Sequence, residues 1–112
     1  MMKKGDLVFV DFPFTDLSGK KKRPALVLAL DTVDATLAFI TTKLFQAQPP
    51  DVVLTPSAQN GLKLPSVIRT SKFATLKLTL IQGKLGELTP AEIEAVDAGL
   101  VKSLDIHFPP QP

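Results

Sequence analysis

A run of positive charge leads directly into a rigid apolar segment near the start of the chain. Residues 20–23 are three lysines and an arginine, Pro24 follows them, and residues 25–30 are all apolar. Proline fixes its own φ and favours an extended backbone at the preceding residue, so we expect Arg23 at the mouth of a strand. A guanidinium held there can contact two phosphate oxygens and stabilise charge that develops on them.

The lysines beside this arginine have two interpretations. A run of lysines is typical of a solvated loop, but it also suits the binding of a polyanion such as RNA. The candidates for phosphate binding are Lys20, Lys21 and Lys22.

Two further groups of polar residues lie near predicted strand ends. Thr41, Thr42 and Lys43 follow the third predicted strand. If the second and third strands form an antiparallel hairpin, Arg23 and Thr41 share one edge of the sheet, although threonine at a strand end also reflects β-propensity and turn hydrogen bonding. Ser66 and Arg69 either form a second wall of the same anion site or are a strand cap and an exposed cation.

Several other chemistries are not supported by the residues present. The chain has no cysteine, which excludes disulfides, zinc thiolate sites and thiol nucleophiles. The single histidine, His107, lies next to a proline-rich segment and is interpreted as a surface residue. The aspartates lack metal-ligand spacing, and neither a phosphate-binding glycine loop nor a zinc-protease motif is present. We therefore expect neither a metal nor a cofactor.

Short strands dominate the predicted secondary structure. Turn residues separate apolar or alternating runs, and strands at this spacing favour a small barrel over βαβ units. The last two segments are either one continuous strand or two strands broken by a bulge. The predicted strands are residues 6–12, 24–30, 36–41, 51–54, 66–69 and 73–76, and the first three are expected to form a meander.

One helix is predicted after the strands. Thr89 as N-cap, Pro90 at the first helical position and Glu92 form the pattern of a capping box. We expect this helix to pack on the barrel and to end near Ile106. Its apolar stripe consists of Ile93, Val96, Leu100, Val101 and Leu104.

Length and composition indicate one globular domain spanning residues 1–112. The chain is 45% hydrophobic and 21% charged, with a net charge of +2. The basic start lacks the apolar stretch of a signal peptide, and no segment is long enough to span a membrane. We therefore expect a cytoplasmic protein with no membrane contact.

These residues resemble the MazF/PemK family of endoribonuclease toxins from type II toxin–antitoxin systems, in its PemK-like branch. The resemblance extends over nearly the whole chain, through KKGDLVFVDFPFTDLSGKKKRPALVL, FITTK, GLKLPSVIRTSKFATL and IQGKLGELTPAEIEAV. The first of these segments is the most specific, because GD, VDF and KKRPALV occur together in the family.

The resemblance implies a mainly β fold, a small SH3-like barrel of the CcdB/MazF type with a C-terminal helix. It also implies a homodimer whose groove accepts single-stranded RNA and is occupied by a cognate antitoxin when the toxin is inactive. Members cleave RNA without metal by attack of the 2′-hydroxyl, leaving a 2′,3′-cyclic phosphate. The family's catalytic arginine and threonine match Arg23 and Thr41, and Ser66 matches a serine of a later strand.

Two departures from the family pattern affect the expected RNA contacts. The loop between the first two strands is short and lysine-rich, and Lys72 and Ala74 stand where some relatives have glutamine and arginine. A fold also does not determine function, and the alternatives are a gyrase poison of the same fold or an RNA-binding barrel that does not cleave. Arg23 and Thr41 favour the nuclease, because a gyrase binder needs neither.

Overall fold

The structure is a computed structural model that describes residues 2–11 and 22–110. Lys20, Lys21 and the predicted loop at residues 13–19 lie outside the described residues. No helix in the described ranges is long and apolar enough to cross a membrane. The elements are β1 (Asp6–Asp11), β2 (Lys22–Leu30), β3 (Asp34–Thr41), β4 (Val52–Leu54), β5 (Ser66–Lys77), β6 (Ile81–Glu87), helix α1 (Pro90–Ser103) and two 3-10 turns, Leu44–Gln46 and Leu78–Leu80.

The strands form one antiparallel sheet in the order β4-β5-β3-β2-β1-β6. The first three strands make the predicted meander, and the mainly β class with one helix after the strands is confirmed. In the part of the chain that the structure describes, the outer strands β4 and β6 do not pair with each other, so the barrel-like sheet is not closed by hydrogen bonds.

Both faces of the central strands are buried, which explains why their sequences are apolar at consecutive positions. One cluster includes Leu26, Ile40 and Ile68, together with Val96 of α1. The second cluster, on the opposite face, includes Val10, Ala25, Val27 and Leu37. The site residues of this sheet are therefore carried by strands that are fixed from both sides.

Strand β5 is continuous over both segments that the sequence predicted, with a three-residue irregularity between them. Ala38 of β3 pairs with Phe73, whereas the next residue, Phe39, pairs with Arg69. Residues 70–72 therefore have no partner position on β3. This bulge is the interruption that the sequence pattern indicated.

Helix α1 begins as predicted. Thr89 Oγ1 accepts a hydrogen bond from the Glu92 backbone N–H at 3.2 Å, and Glu92 Oε1 accepts one from the Thr89 N–H at 2.8 Å. These two bonds are the capping box.

The predicted helix end near Ile106 is wrong, because α1 ends at Ser103. Asp105 adopts a left-handed φ of 52°. Its N–H donates to Lys102 O at 3.1 Å, and the N–H of Ile106 donates to Val101 O at 2.9 Å. This pair of bonds is a Schellman motif, which aspartate supports because it tolerates the left-handed region better than most residues.

Strand β6 was not predicted from the sequence. It contains two glycines and pairs with β1 through two register shifts, so it lacks a regular alternating pattern. Gly86 packs against the loop before β5, where the buried Asn60 accepts from the N–H groups of Ser57 and Leu62 and donates to Thr55 O. The site needs glycine, because a Cβ there would lie 2.4 Å from the Asn60 backbone.

A cluster of charges fastens β6 and the N-terminal residues to β1. The fully buried Asp6 carboxylate accepts from Lys3 Nζ at 3.0 Å and lies 3.3 Å from Lys84 Nζ. Glu87 contacts the same two lysines at 2.7 and 3.3 Å. Burial alone would raise the pKa of Asp6, but hydrogen bonds from Lys3 and Lys84 outweigh it and lower that pKa.

We expect Asp6→Asn to change the acid sensitivity of folding. Because the folded-state pKa of Asp6 is lowered, its contribution to stability is present above its ordinary value of 3.8 and is lost as pH falls through the folded value. The difference in unfolding free energy between wild type and variant should therefore narrow below that pH in urea titrations. Asp97→Asn, which removes an exposed pair with Lys4, should change stability by less than about 0.5 kcal/mol at every pH.

Two glycine substitutions in β6 test the contact of Gly86 with the loop that contains Asn60. Gly86→Ala should lower the unfolding free energy by about 1–3 kcal/mol, because its Cβ meets backbone atoms that cannot move aside. Gly83→Ala is the matched control, since a Cβ there meets nothing within 4 Å. Equal denaturant midpoints for the two variants would contradict the proposed packing.

Candidate functional site

The register of β2 and β3 brings the two predicted catalytic residues to one place. Ala25 pairs with Phe39, and this register continued by two residues sets Arg23 opposite Thr41. Directly opposed residues of antiparallel strands have their side chains on the same face. The predicted shared sheet edge is therefore present in the backbone geometry.

The turn and a bulge in this hairpin determine that register. Asp31 Oδ1 accepts hydrogen bonds from the N–H groups of Val33 and Asp34 at 2.8 and 2.7 Å, and these bonds lower the pKa of Asp31. Near the turn, Ala29 pairs with Thr36, but beyond Leu28 the register shifts by one residue. Without this bulge Arg23 would be opposite the residue after Thr41, and its side chain would point to the wrong face.

The two side chains differ in accessibility in a way that suits a surface reaction. Arg23 is exposed, and Thr41 is partly buried at the end of β3. Thr41 Oγ1 accepts a hydrogen bond from the Lys43 N–H at 3.1 Å. That bond occupies an acceptor position of the hydroxyl, so it fixes the side chain without using the hydroxyl proton.

Other cations lie at the same end of the sheet. Lys22 begins β2 and pairs with Asp11, the last residue of β1, while Thr42 and Lys43 are exposed just beyond β3. We call this region the Arg23 end of the sheet, defined by Lys22, Arg23, Thr41, Thr42 and Lys43. It brings together five of the predicted site residues, and three of the five are basic.

Arg69 lies on β5 and is held by a buried carboxylate. Its Nε donates to Asp51 Oδ2 at 2.8 Å, with the side chains of Arg69 and Asp51 15% and 3% exposed. Asp51 also accepts from the N–H of Gln48 and from the N–H of Thr70 in the β5 bulge. The predicted role of Arg69 in RNA binding stays a prediction, and its position is fixed by this ion pair.

The same network reaches the end of helix α1. Thr70 Oγ1 lies 2.9 Å from Ser103 Oγ and 3.3 Å from Asp51 Oδ1. A Cβ at Gly99 would lie 2.7 Å from Pro50 O, so glycine permits the close approach of the helix to this segment. From the sequence, Asp51 is only the start of a predicted strand. Its role as acceptor for Arg69 and Thr70 was not predicted, because these partners are distant in sequence.

Ser66 is buried at the start of β5, and its hydroxyl donates to Leu64 O at 2.9 Å. It therefore supports the turn into β5, and contact with RNA stays a prediction for this residue. Within the described ranges, no group of three or more histidine, cysteine, aspartate or glutamate side chains could hold a metal ion.

The geometry of the Arg23 end suits binding and reaction of a phosphodiester. A guanidinium can neutralise the charge of a pentavalent phosphorus, and a hydroxyl on the same face can donate to a nonbridging oxygen. Neither group is an effective proton acceptor, because a guanidinium carries only donors and an alcohol oxygen is a weak base. The arrangement is thus chemically suited to stabilising charge on a phosphate.

Comparison with known proteins identifies the family. The model for the PemK-like, MazF-like toxin of type II toxin–antitoxin systems matches residues 3–104, and the chain belongs to this family. Endoribonuclease MazF6 of Mycobacterium tuberculosis is 30% identical over 92 residues, which cover 77% of this chain and 81% of the relative. Endoribonuclease MazF2 of Mycobacterium bovis matches with the same figures.

Solved structures of similar proteins share the fold. A mycobacterial endoribonuclease in complex with its cognate antitoxin matches with a TM-score of 0.77 at 20% identity, covering 97% of this chain and 100% of that one. The Mycobacterium tuberculosis toxin MazF-mt6 matches with a TM-score of 0.73 at 21% identity, covering 92% and 99%. A MazE-MazF structure from Deinococcus radiodurans gives 0.72 at 22%, covering 95% and 97%.

The buried ion pair between Asp51 and Arg69 should be important for stability. Asp51→Ala leaves the arginine and the Thr70 N–H without their acceptor, and we expect the unfolding free energy to fall by about 3–5 kcal/mol. Lys72→Ala, an exposed change on the same strand, should stay within about 0.5 kcal/mol of wild type. In a double-mutant cycle with Arg69→Ala, purely additive losses would contradict the pairing.

Proposed function

We propose that this protein is a sequence-specific endoribonuclease toxin that cleaves single-stranded RNA without a metal. The observation that carries the proposal is the β2–β3 register, which sets Arg23 opposite Thr41 in a chain that belongs to the MazF-like toxin family. The curated relatives are endoribonucleases, so a gyrase poison is not favoured.

The proposed reaction is an internal transesterification at one phosphodiester. The ribose 2′-oxygen forms a bond to phosphorus, and the bond from phosphorus to the 5′-oxygen of the next nucleotide breaks. The 2′-hydroxyl loses its proton to water and the leaving oxygen takes a proton from water, giving a 2′,3′-cyclic phosphate and a 5′-hydroxyl. The reaction changes no oxidation state, and the proposed step uses no metal.

Each catalytic residue has a role that follows from its chemistry. Arg23 stabilises the added negative charge on the phosphoryl oxygens and donates a hydrogen bond to the leaving oxygen. It is too weak a base to accept the proton of the 2′-hydroxyl. Thr41 donates its hydroxyl proton to a nonbridging oxygen, while the Lys43 N–H holds its oxygen in place. Catalysis rests on preorganised electrostatics and substrate orientation.

The remaining predicted residues bind the RNA strand on either side of the reacting phosphate. Lys22, Thr42 and Lys43 are exposed at the Arg23 end, and Arg69 lies on β5 in its ion pair with Asp51. Lysines contact phosphates without regard to sequence, so they contribute affinity and salt dependence. We assign RNA binding to Lys20, Lys21, Lys22, Thr42, Lys43, Ser66 and Arg69.

The partners of the proposed toxin follow from its family. A cognate antitoxin neutralises it through a segment that folds into the RNA groove on binding. The active form is a homodimer of a single domain, and it acts in the cytoplasm, where single-stranded messenger RNA is available. Antitoxin complexes of structurally similar MazF proteins support this assignment.

The test is cleavage of a long single-stranded RNA by purified protein in EDTA. Wild type should produce discrete cuts with cyclic-phosphate ends, and Arg23→Ala should reduce the rate at least about 100-fold, because removing one group that stabilises the developing charge has effects of that order. Thr41→Val should also slow cleavage, while keeping the shape of the side chain.

The matched control for Arg23→Ala is Lys77→Ala, which removes an exposed cation from the opposite end of the sheet. It should cleave like wild type. Intact RNA with folded, antitoxin-free wild type would reject the nuclease, and full activity of Arg23→Ala would reject the assigned site.

A further inference from the structure

An aromatic ring stands in solvent four residues after Thr41. Phe45, in the 3-10 turn Leu44–Gln46, is 83% exposed, and its neighbour Leu44 is 46% exposed. An exposed apolar residue is not unusual by itself. Two adjacent ones immediately beyond a candidate catalytic strand end form a feature that needs a physical account.

Hydrogen bonds fix the backbone of the turn that carries this ring. Gln46 N–H donates to Lys43 O at 2.9 Å, and Ala47 N–H donates to Leu44 O at 3.0 Å, which closes the turn on both sides of Phe45. Downstream, the Gln48 N–H donates to Asp51 Oδ2, so the segment is tied to the buried ion pair with Arg69. Because this backbone is already ordered, binding a ligand restricts only the side chain of Phe45.

The charge around the ring indicates the chemistry of that ligand. Lys43 lies two residues before Phe45, and Lys22 and Arg23 are exposed at the same end of the sheet. Phe45 therefore lies in the segment that leaves the Arg23 end of the sheet, where these cations attract a polyanion. Single-stranded nucleic acid combines phosphates, which bind cations, with flat bases, which stack on aromatic side chains. The cations of the Arg23 end and the ring of Phe45 match these two features.

We propose that Phe45 is a stacking platform for an unpaired RNA base next to the phosphate held by Arg23 and Thr41. This inference rests on the proposed function and deepens it, because it assigns a base-binding position to a site otherwise described by its contacts to phosphate. Stacking positions the neighbouring phosphodiester on the catalytic pair, so Phe45 is a binding residue of the same reaction.

The chain supplies a clean spectroscopic test, because it contains neither tryptophan nor tyrosine. Phe45→Trp introduces a single tryptophan, and its fluorescence should fall on titration with a 2′-O-methyl oligonucleotide that spans a mapped cut site. The 2′-O-methyl group prevents cleavage by removing the nucleophile. The matched control is Phe108→Trp, since Phe108 is also largely exposed, at 72%, but follows helix α1.

Affinity and turnover provide the second measurement. Phe45→Ala should bind the oligonucleotide about tenfold more weakly and cleave RNA correspondingly less efficiently, whereas Phe45→Trp should keep both properties. Phe108→Ala should behave as wild type. Because Phe45 is exposed, its variants should fold normally, and unchanged denaturant midpoints verify this.

The outcomes separate this inference from the proposed function. If wild type cuts RNA but Phe45→Ala has unchanged affinity and rate, the stacking platform is rejected and the nuclease stands. If wild type does not cut RNA, both fail together.

Two further results would also overturn the stacking platform. A lower sedimentation coefficient for Phe45→Ala with unchanged RNA affinity would assign the ring to contact with a second copy of the chain. If Phe45→Ala weakened the binding of the antitoxin and left RNA affinity unchanged, the ring would be assigned to contact with a protein partner.

Discussion

The pairing of β2 with β3 is the constraint on which the candidate site depends. Arg23 is placed opposite Thr41 by the extended register of the hairpin, which is turned by Asp31 and shifted by the bulge at Leu28. A shift of one residue would turn the arginine away from the threonine and would also exchange the two buried faces of β2. The apolar clusters on those faces therefore oppose a slip, because it would move Ala25 and Val27 out of the cluster in which they pack.

A second arrangement supports the segment that leaves β3. The buried Asp51 carboxylate joins that segment to Arg69 and to the β5 bulge, and Thr70 continues the contact to Ser103 at the end of α1. Helix packing is thus transmitted to the Arg23 end through polar groups as well as through the core. The arrangement gives the Arg23 end of the sheet a rigid support on one side.

Sequence patterns predicted the parts of this molecule that depend on local signals. The capping box at Thr89, the meander and the place of Arg23 before Pro24 are local, and the described structure contains each of them. Strand β6 was missed because it depends on pairing with β1, and the helix end was wrong because Asp105 adopts a left-handed turn. The role of Asp51 requires partners 18 and 19 residues away, Arg69 and Thr70, which no local pattern reveals.

The position of β6 and α1 in the chain has a consequence for the timing of toxicity. Strand β1 pairs with β6, and the core face that contains Leu26 is covered by Val96 of the helix. A nascent chain that ends after β5 thus contains both candidate catalytic residues but lacks β6 and α1, which complete their support. The last strand ends at Glu87 and the helix that covers this face ends at Ser103, so the fold that holds Arg23 and Thr41 is completed only late in the synthesis of each copy.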